Sequence, residues 1–268
     1  KTFLDYYAEF MDPDLSPIKS SYAFIPFNIA INIQKLGALF FMFSMMVYYD
    51  NFSTGCWVYL ALHGSYGVIW VTKDMIFPDK SFQRKIGFVE FIVLAVILLA
   101  YYTFGYLIVT GQANNNPSNE RIFCCIFMYC LGAVMMFGTD IQKYVRLQLK
   151  KGLIDDLFLA NNRNTNYFGE MLLYTAFATL SNEYIGYIVL LVVWATLFTS
   201  RIHLKERSLK KKDGYAKYAS NSYLLLFKFF NSDLLNVIFY VGSIVFGVWV
   251  FNNGGIEATV RLVKTLLK

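Results

Sequence analysis

The sequence predicts an all-α, multi-pass membrane helical bundle of about seven transmembrane helices. Three observations carry this. Hydrophobic residues make up 57% of the chain and charged residues only 16%, where a soluble domain carries roughly 25% charged residues. The mean hydropathy of +0.44 agrees. Apolar stretches recur along the chain near the roughly 20-residue length that crosses a bilayer, and the cations are divided unevenly between the segments that join them.

The spans are expected at 27–49, 54–72, 86–110, 121–139, 167–181, 184–200 and 233–251. The fifth and sixth are short and joined only through Ser181, Asn182 and Glu183, the pattern of a tight helical hairpin. Three parts follow: an N-terminal membrane-surface segment at 1–26, a main membrane domain at 27–230, and an extra C-terminal span with an amphipathic tail at 231–268. Asn252, Asn253, Gly254 and Gly255 break the last span. The tail then reads IEATVRLVKTLLK, with Ile256, Val260, Val263 and Leu267 at helical spacing. It is expected to lie on the opposite membrane face or to dock on another membrane-protein subunit. The sequence begins at Lys1 rather than Met, which leaves room upstream for a cleaved transit peptide or signal.

Alternating the spans gathers nineteen of the 24 Lys and Arg residues on one face, Lys1 and Lys19 among them. The other face has Arg121, Arg261, Lys264 and Lys268, and Lys35 lies within the first span. By the positive-inside rule the basic face, with the N-terminus, is cytosolic, or faces the matrix in a mitochondrion. The expected location is therefore integral, in the endoplasmic reticulum or the mitochondrial inner membrane. A net charge of +6 needs no nucleic acid, because the lipid bilayer supplies anionic headgroups. Cys56, Cys124, Cys125 and Cys130 sit in apolar stretches without CxxC or Cys/His pairing. They read as small buried hydrophobes, and no metal site is expected.

Polar residues collect in three clusters at consecutive span ends on the basic face. In GTDIQKYVRLQLKKG (138–152), Asp140, Lys143 and Arg146 recur at i, i+3 and i+6, close to one helical face. Two cations beside a carboxylate suit a phosphate and a ribose hydroxyl; an ordinary basic membrane-edge helix has the same look. In NNRNTNYFGE (161–170), Arg163 suits bidentate contact with phosphate, Asn166 offers an amide that reads a carboxamide, and Tyr167 a ring face and a hydroxyl. Gly169 permits close backbone approach. Glu170 falls about a turn inside the helix, where an acid in lipid needs a partner, expected to be Arg163 or Lys143. In SRIHLKERSLKKKDGYAKY (200–218), Arg201 and Lys205 suit phosphates, while Tyr215 and Tyr218 suit a pocket wall. The same segment also reads as a basic anchor along the headgroups.

In this order and spacing the clusters resemble the C-terminal half of the steroid 5α-reductase superfamily. That group includes the sterol reductases and, in looser form, methyltransferases acting on isoprenylcysteine and phospholipids. The resemblance rests on Asp140, Gln142 and Lys143; on Arg163, Asn166, Tyr167, Gly169 and Glu170; and on Arg201, Lys205, Glu206, Tyr215 and Tyr218. It covers about residues 130–225, and YLALHGSYGVIWVTKDMIFPD (59–79) looks like an upstream segment of related chains. It implies a steroid 5α-reductase-like fold with an NADPH pocket opening to the basic face. Asn166 and Glu170 would hold the nicotinamide end; Asp140, Arg163 and Arg201 would hold ribose and phosphates. The implied reaction is hydride transfer to a carbon–carbon double bond of a lipid, with a protein acid supplying the proton. That acid should come from the N-terminal half, where chemistry offers His63, Tyr66 and Glu90. His63 and Tyr66 share a face of the second span, and Glu90 lies near one end of the third. The chain departs from the family at Asn164-Thr165, where His-Pro is usual, and in NSYLLLFKF, which lacks the usual Pro.

The expected function is thus an NADPH-dependent lipid or sterol double-bond reductase. An alternative is a non-catalytic accessory subunit of a large membrane complex, for instance a mitochondrial respiratory one. It draws on the Asn164-Thr165 replacement, the added span and the tail. A SAM-dependent lipid or isoprenylcysteine methyltransferase is the third reading.

Overall fold

The computed structural model describes residues 2–11, 23–252 and 255–267. Lys1, Lys19 and Lys268 of the charge tally, residues 12–22 of the N-terminal segment, and Asn253 and Gly254 of the C-terminal break lie outside the described residues.

The apolar composition becomes helix almost throughout. Phe27–Tyr48 (α2) and Thr54–Ile76 (α3) follow a short helix at Phe3–Met11 (α1). Phe88–Leu99 (α4) continues through a 3₁₀ turn into Thr103–Val109 (α5). Next come Asn119–Leu149 (α6), Thr165–Ser181 (α7), and Tyr184–Val193 (α8), which passes through a π turn at Trp194–Phe198 into Thr199–Leu209 (α9). Tyr215–Asn221 (α10), Asp233–Asn252 (α11) and Gly255–Leu266 (α12) complete the order. Among the described residues the only sheet is a two-residue antiparallel pair, Ile25–Pro26 with Lys85–Ile86, which ties the start of α2 beside the start of α4.

Among the described residues four helices are long and apolar enough to cross a membrane: Phe27–Tyr48, Phe88–Val109, Asn119–Leu149 and Tyr184–Leu209. The chain is therefore an integral membrane protein. The other three forecast spans are helical but of different character. α3 has 23 residues but buries His63, Lys73 and Asp74. α7 has only 17 residues and buries more than half of them. α11 is a 20-residue helix, Asp233–Asn252.

The expected hairpin forms. Asn182 takes a left-handed conformation (φ 52°), which closes α7, and Glu183 leads directly into α8. α6 packs most extensively on α7. Gly132 and Gly169 face each other at the crossing: a Cβ on Gly169 would come within 2.6 Å of the Gly132 carbonyl oxygen. Small residues let membrane helices approach this closely. The core beside this crossing is aromatic, with Tyr59, Tyr66, Tyr101, Phe104, Tyr174 and Phe177 all fully enclosed.

Two helices outrun their expected ends. α6 continues to Leu149 rather than stopping at 139, and the helix begun at Tyr184 continues to Leu209 rather than 200. The physical reason lies in the clusters themselves, because Asp140, Lys143 and Arg146 recur at helical spacing and remain helical beyond the apolar stretch. Asp140, Lys143, Asn166, Glu170, Arg201 and Lys205 thus sit on helix walls, whereas Arg163 lies in the turn before α7.

Candidate functional site

A cavity of about 580 Å³ opens at the basic end of the bundle. Its inner part lies between Lys35 on α2, Trp70 on α3, Tyr101, Met136 on α6 and Glu170 on α7. Its outer part is lined by Asp79, Lys80, Lys143, Lys151, Arg201 and Lys205. Each wall follows from helical spacing. On α6, Met136, Asp140, Lys143 and Leu147 line one stripe, and on α7 Asn166, Tyr167 and Glu170 do the same. Along the π turn and α9, Leu197, Arg201 and Lys205 succeed one another four apart. π turns inside helices are frequent at functional sites.

The three clusters therefore meet, but not with every member expected. Asp140, Lys143, Asn166, Tyr167, Glu170, Arg201 and Lys205 all line the cavity. Asp140 is clasped by Lys73 Nζ at 3.1 Å, accepts a bond from Asn166 Nδ2 at 3.3 Å and lies 3.9 Å from Lys143 Nζ. The remaining acceptor of Asn166, Oδ1, is buried with no hydrogen-bond partner. Lys205 Nζ donates to the Arg163 carbonyl at 2.9 Å and sits 5.7 Å from the Tyr167 ring centre. Asp79, in the loop after α3, faces Lys143 at 3.9 Å. Partial burial pulls its carboxyl up, but Lys143 and the hydrogen bonds from Ser81 pull it down further, so it lies below its ordinary range.

Arg146, Arg163 and Tyr218 do not line the cavity. Arg146 pairs with Asp156, holding the loop after α6. Tyr218 donates to the Leu159 carbonyl at 2.7 Å, and Tyr215 donates to Glu206. Arg163 is a structural clamp rather than a phosphate ligand. Its Nε donates to Glu206 Oε1 at 3.0 Å and its Nη1 to the Ser222 carbonyl at 2.5 Å. Asn164 and Thr165, the departures from the resemblance, are fully buried behind it: Asn164 Nδ2 donates to the Leu224 carbonyl at 2.7 Å, and Thr165 Oγ1 to the Phe158 carbonyl at 2.6 Å. These two positions shape the start of α7 and do not line the cavity. Because only a guanidinium spans Glu206 and Ser222 at once, Arg163→Lys is expected to cost about 2 kcal/mol despite keeping the charge. Thermal unfolding of the purified protein in detergent checks this.

Glu170 has a different partner from those expected. Arg163 is committed elsewhere, and Lys35 Nζ lies 3.9 Å from Glu170 Oε1. Lys35 also donates to the hydroxyls of Tyr174 at 2.6 Å and Tyr66 at 3.1 Å, and the Tyr66 hydroxyl donates to Glu170 at 3.4 Å. Four rings, those of Tyr66, Trp70, Tyr101 and Tyr174, surround the ammonium within 5.8 Å. None of the three candidate acids lines the cavity. Tyr66 stands one layer behind, in contact with Lys35 and Glu170. His63 bonds Tyr59 at 2.6 Å through Nδ1 and stacks on Phe177. Glu90 accepts from the Gly87 N–H at 2.6 Å and caps the start of α4. Sequence reasoning passed over Lys35, Lys73, Asp79 and Tyr101. The signal for Lys35 was visible, since a lone charge within an apolar span is costly unless it is used.

Fold and site together define a helical integral membrane protein with a largely apolar cavity at one end, rimmed by cations. Residues 73–222, more than half the chain, match DUF1295, a family described as of unknown function, and the chain belongs to that family. No curated protein matches it. The matched segment supplies the Asp140, Asn166, Glu170 and Arg201 walls, whereas Lys35 and Tyr66 come from outside it.

Proposed function

We propose that the cavity binds NADPH and that the protein is a lipid or sterol double-bond reductase of the steroid 5α-reductase type. The carrying observation is the convergence of Asp140, Asn166, Glu170, Arg201 and Lys205 on one cavity. The residues fit the cofactor. Asn166 has an unused amide oxygen. Cations predominate around the outer part of the cavity, and its volume lies within the range of small-molecule sites. Asn166 and Glu170 hold the carboxamide end, and Lys143, Arg201 and Lys205 hold the phosphates. When bound, NADPH supplies a hydride. The chain holds the matching proton in the Lys35, Tyr66 and Glu170 cluster, and the mostly apolar inner walls exclude water. This reading carries with it the seven-span topology, with the cavity facing the cytosol from an endoplasmic reticulum membrane or the matrix from a mitochondrial inner membrane.

Arg201 is the better test residue, because it lines the cavity and its side chain makes no ion pair or hydrogen bond with the described residues, whereas Glu170 also balances Lys35. In nanodiscs, Arg201→Gln is expected to weaken NADPH binding about 10-fold, the worth of one charge-assisted contact. Failure of the wild-type chain to bind saturably at millimolar NADPH would overturn the reading.

The accessory-subunit reading draws on α11, whose Leu234, Val237, Ile238, Val241, Ile244 and Val245 are all exposed. Blue-native electrophoresis of native membranes distinguishes it, since that reading requires an assembly far larger than the 30.9 kDa chain.

A further inference from the structure

α12 begins where two features of the sequence meet an acid from another helix. Gly255 adopts φ +91°, a conformation that favours glycine, and a Cβ there would run into the Glu120 carboxylate. The first-turn N–H of Glu257 donates to Glu120 Oε1 at 2.8 Å. Glu120, at the start of α6, thus caps α12 from outside its own helix and fixes where the tail begins. From Glu120 to Asp140 in the cavity wall, α6 rises roughly 30 Å at 1.5 Å per residue, about the thickness of the hydrocarbon core. The tail is therefore held at the level of the membrane boundary opposite the cavity.

Several side chains of α12, with Leu267 just past its end, fall on distinct faces, and the exposed Leu262 lies off the apolar stripe. Thr259 is buried. Ile256, Val260, Val263 and Leu267 fall within about 60° of one another at 3.6 residues per turn, and all four are exposed. Beside them, Glu257 and Arg261 pair at 3.4 Å with both side chains largely exposed, and Lys264 is exposed on the same side. An apolar stripe flanked by a charged stripe, on a helix that starts at the hydrocarbon boundary, matches an interfacial helix.

We infer that α12 is a lipid-binding helix lying in the membrane surface opposite the cavity. Ile256, Val260, Val263 and Leu267 enter the acyl–headgroup boundary, and Arg261 and Lys264 lie at the level of the headgroup phosphates. The bilayer is favoured over a protein partner because the helix is pinned at the boundary level by Glu120 and because its exposed apolar stripe is flanked by charged residues, the pattern of a helix lying in a membrane surface.

The test is positional photocrosslinking of the full-length protein. The photoreactive residue p-benzoylphenylalanine is placed singly at Val260, Val263, Glu257 or Arg261, first in vesicles of phosphatidylcholine and phosphatidylglycerol and then in native membranes. The expected result is lipid adducts at Val260 and Val263, several-fold above those at Glu257 and Arg261, in both settings. Equal labelling at all four positions in vesicles, no lipid adduct at any of them, or a discrete protein adduct at Val260 or Val263 in native membranes would each overturn the assignment. All four positions are exposed, so these substitutions leave the core of the bundle untouched.

Discussion

Lys35→Met is expected to be the most destabilising single change in the cavity wall, costing about 3 kcal/mol, the lower end of the range for a broken buried pair. The variant strips Glu170 of its countercharge and leaves the Tyr66 and Tyr174 hydroxyls without their common donor. The lower end applies because the Glu170 side chain keeps 19% of its surface exposed through the cavity. Adding Glu170→Gln to Lys35→Met should restore most of the loss. Two neutral side chains of similar volume cost little where one unpaired charge costs much. The pair is therefore a unit, and a double-mutant cycle by SDS or thermal denaturation in mixed micelles measures its coupling. Stability of Lys35→Met equal to wild type would show that the ammonium does not balance Glu170. The same result bears on ligand binding. Glu170→Gln alone perturbs both the fold and the cavity, so only a comparison with the double variant separates the two effects.

The site was legible in the sequence where it depends on helix spacing, and illegible where it depends on distant chain. Asp140 and Lys143 are three apart and Asn166 and Glu170 four apart, so each pair had to share a helix face, and they do line the cavity. Arg163 looked equivalent on chemistry alone. Its true partners, Glu206 and Ser222, are supplied by α9 and by the turn after α10, whose return against the start of α7 no local pattern announces. Lys35 is the reverse case. Its charge inside an apolar span was plain, but its pairing with Glu170, 135 positions later in the chain, depends on how α2 packs near α7. The helical membrane class followed from composition. Helix length did not, because hydropathy marks where a helix leaves the apolar region rather than where it ends, and α6 stays helical past that point to Leu149.

Gly169→Val is expected to reach the top of the roughly 1–3 kcal/mol overpacking range or exceed it, and to disturb the site together with the fold. At this position even a single added carbon has no room: it would lie 2.6 Å from both the Gly132 carbonyl oxygen and the Met136 nitrogen. Both obstacles are backbone, which cannot swing aside as a flexible side chain does, so α7 must shift away from α6. The Asn166–Asp140 hydrogen bond spans the same interface at 3.3 Å, near the limit at which it survives displacement. Stability and NADPH affinity should therefore fall together, while Gly169→Ala produces a smaller change in the same direction. The control is Gly242 on α11, where an added Cβ meets nothing within 4 Å. Gly242→Ala should be neutral or stabilise by up to about 1 kcal/mol, since alanine is the better helix former. By sequence both are glycines inside apolar helices, and only the proximity of the α6 backbone separates them. Thermal unfolding of the three variants beside the wild-type chain measures that difference, and equal tolerance at Gly169 and Gly242 would remove the α6–α7 crossing as the element that holds Asp140 and Asn166 in register.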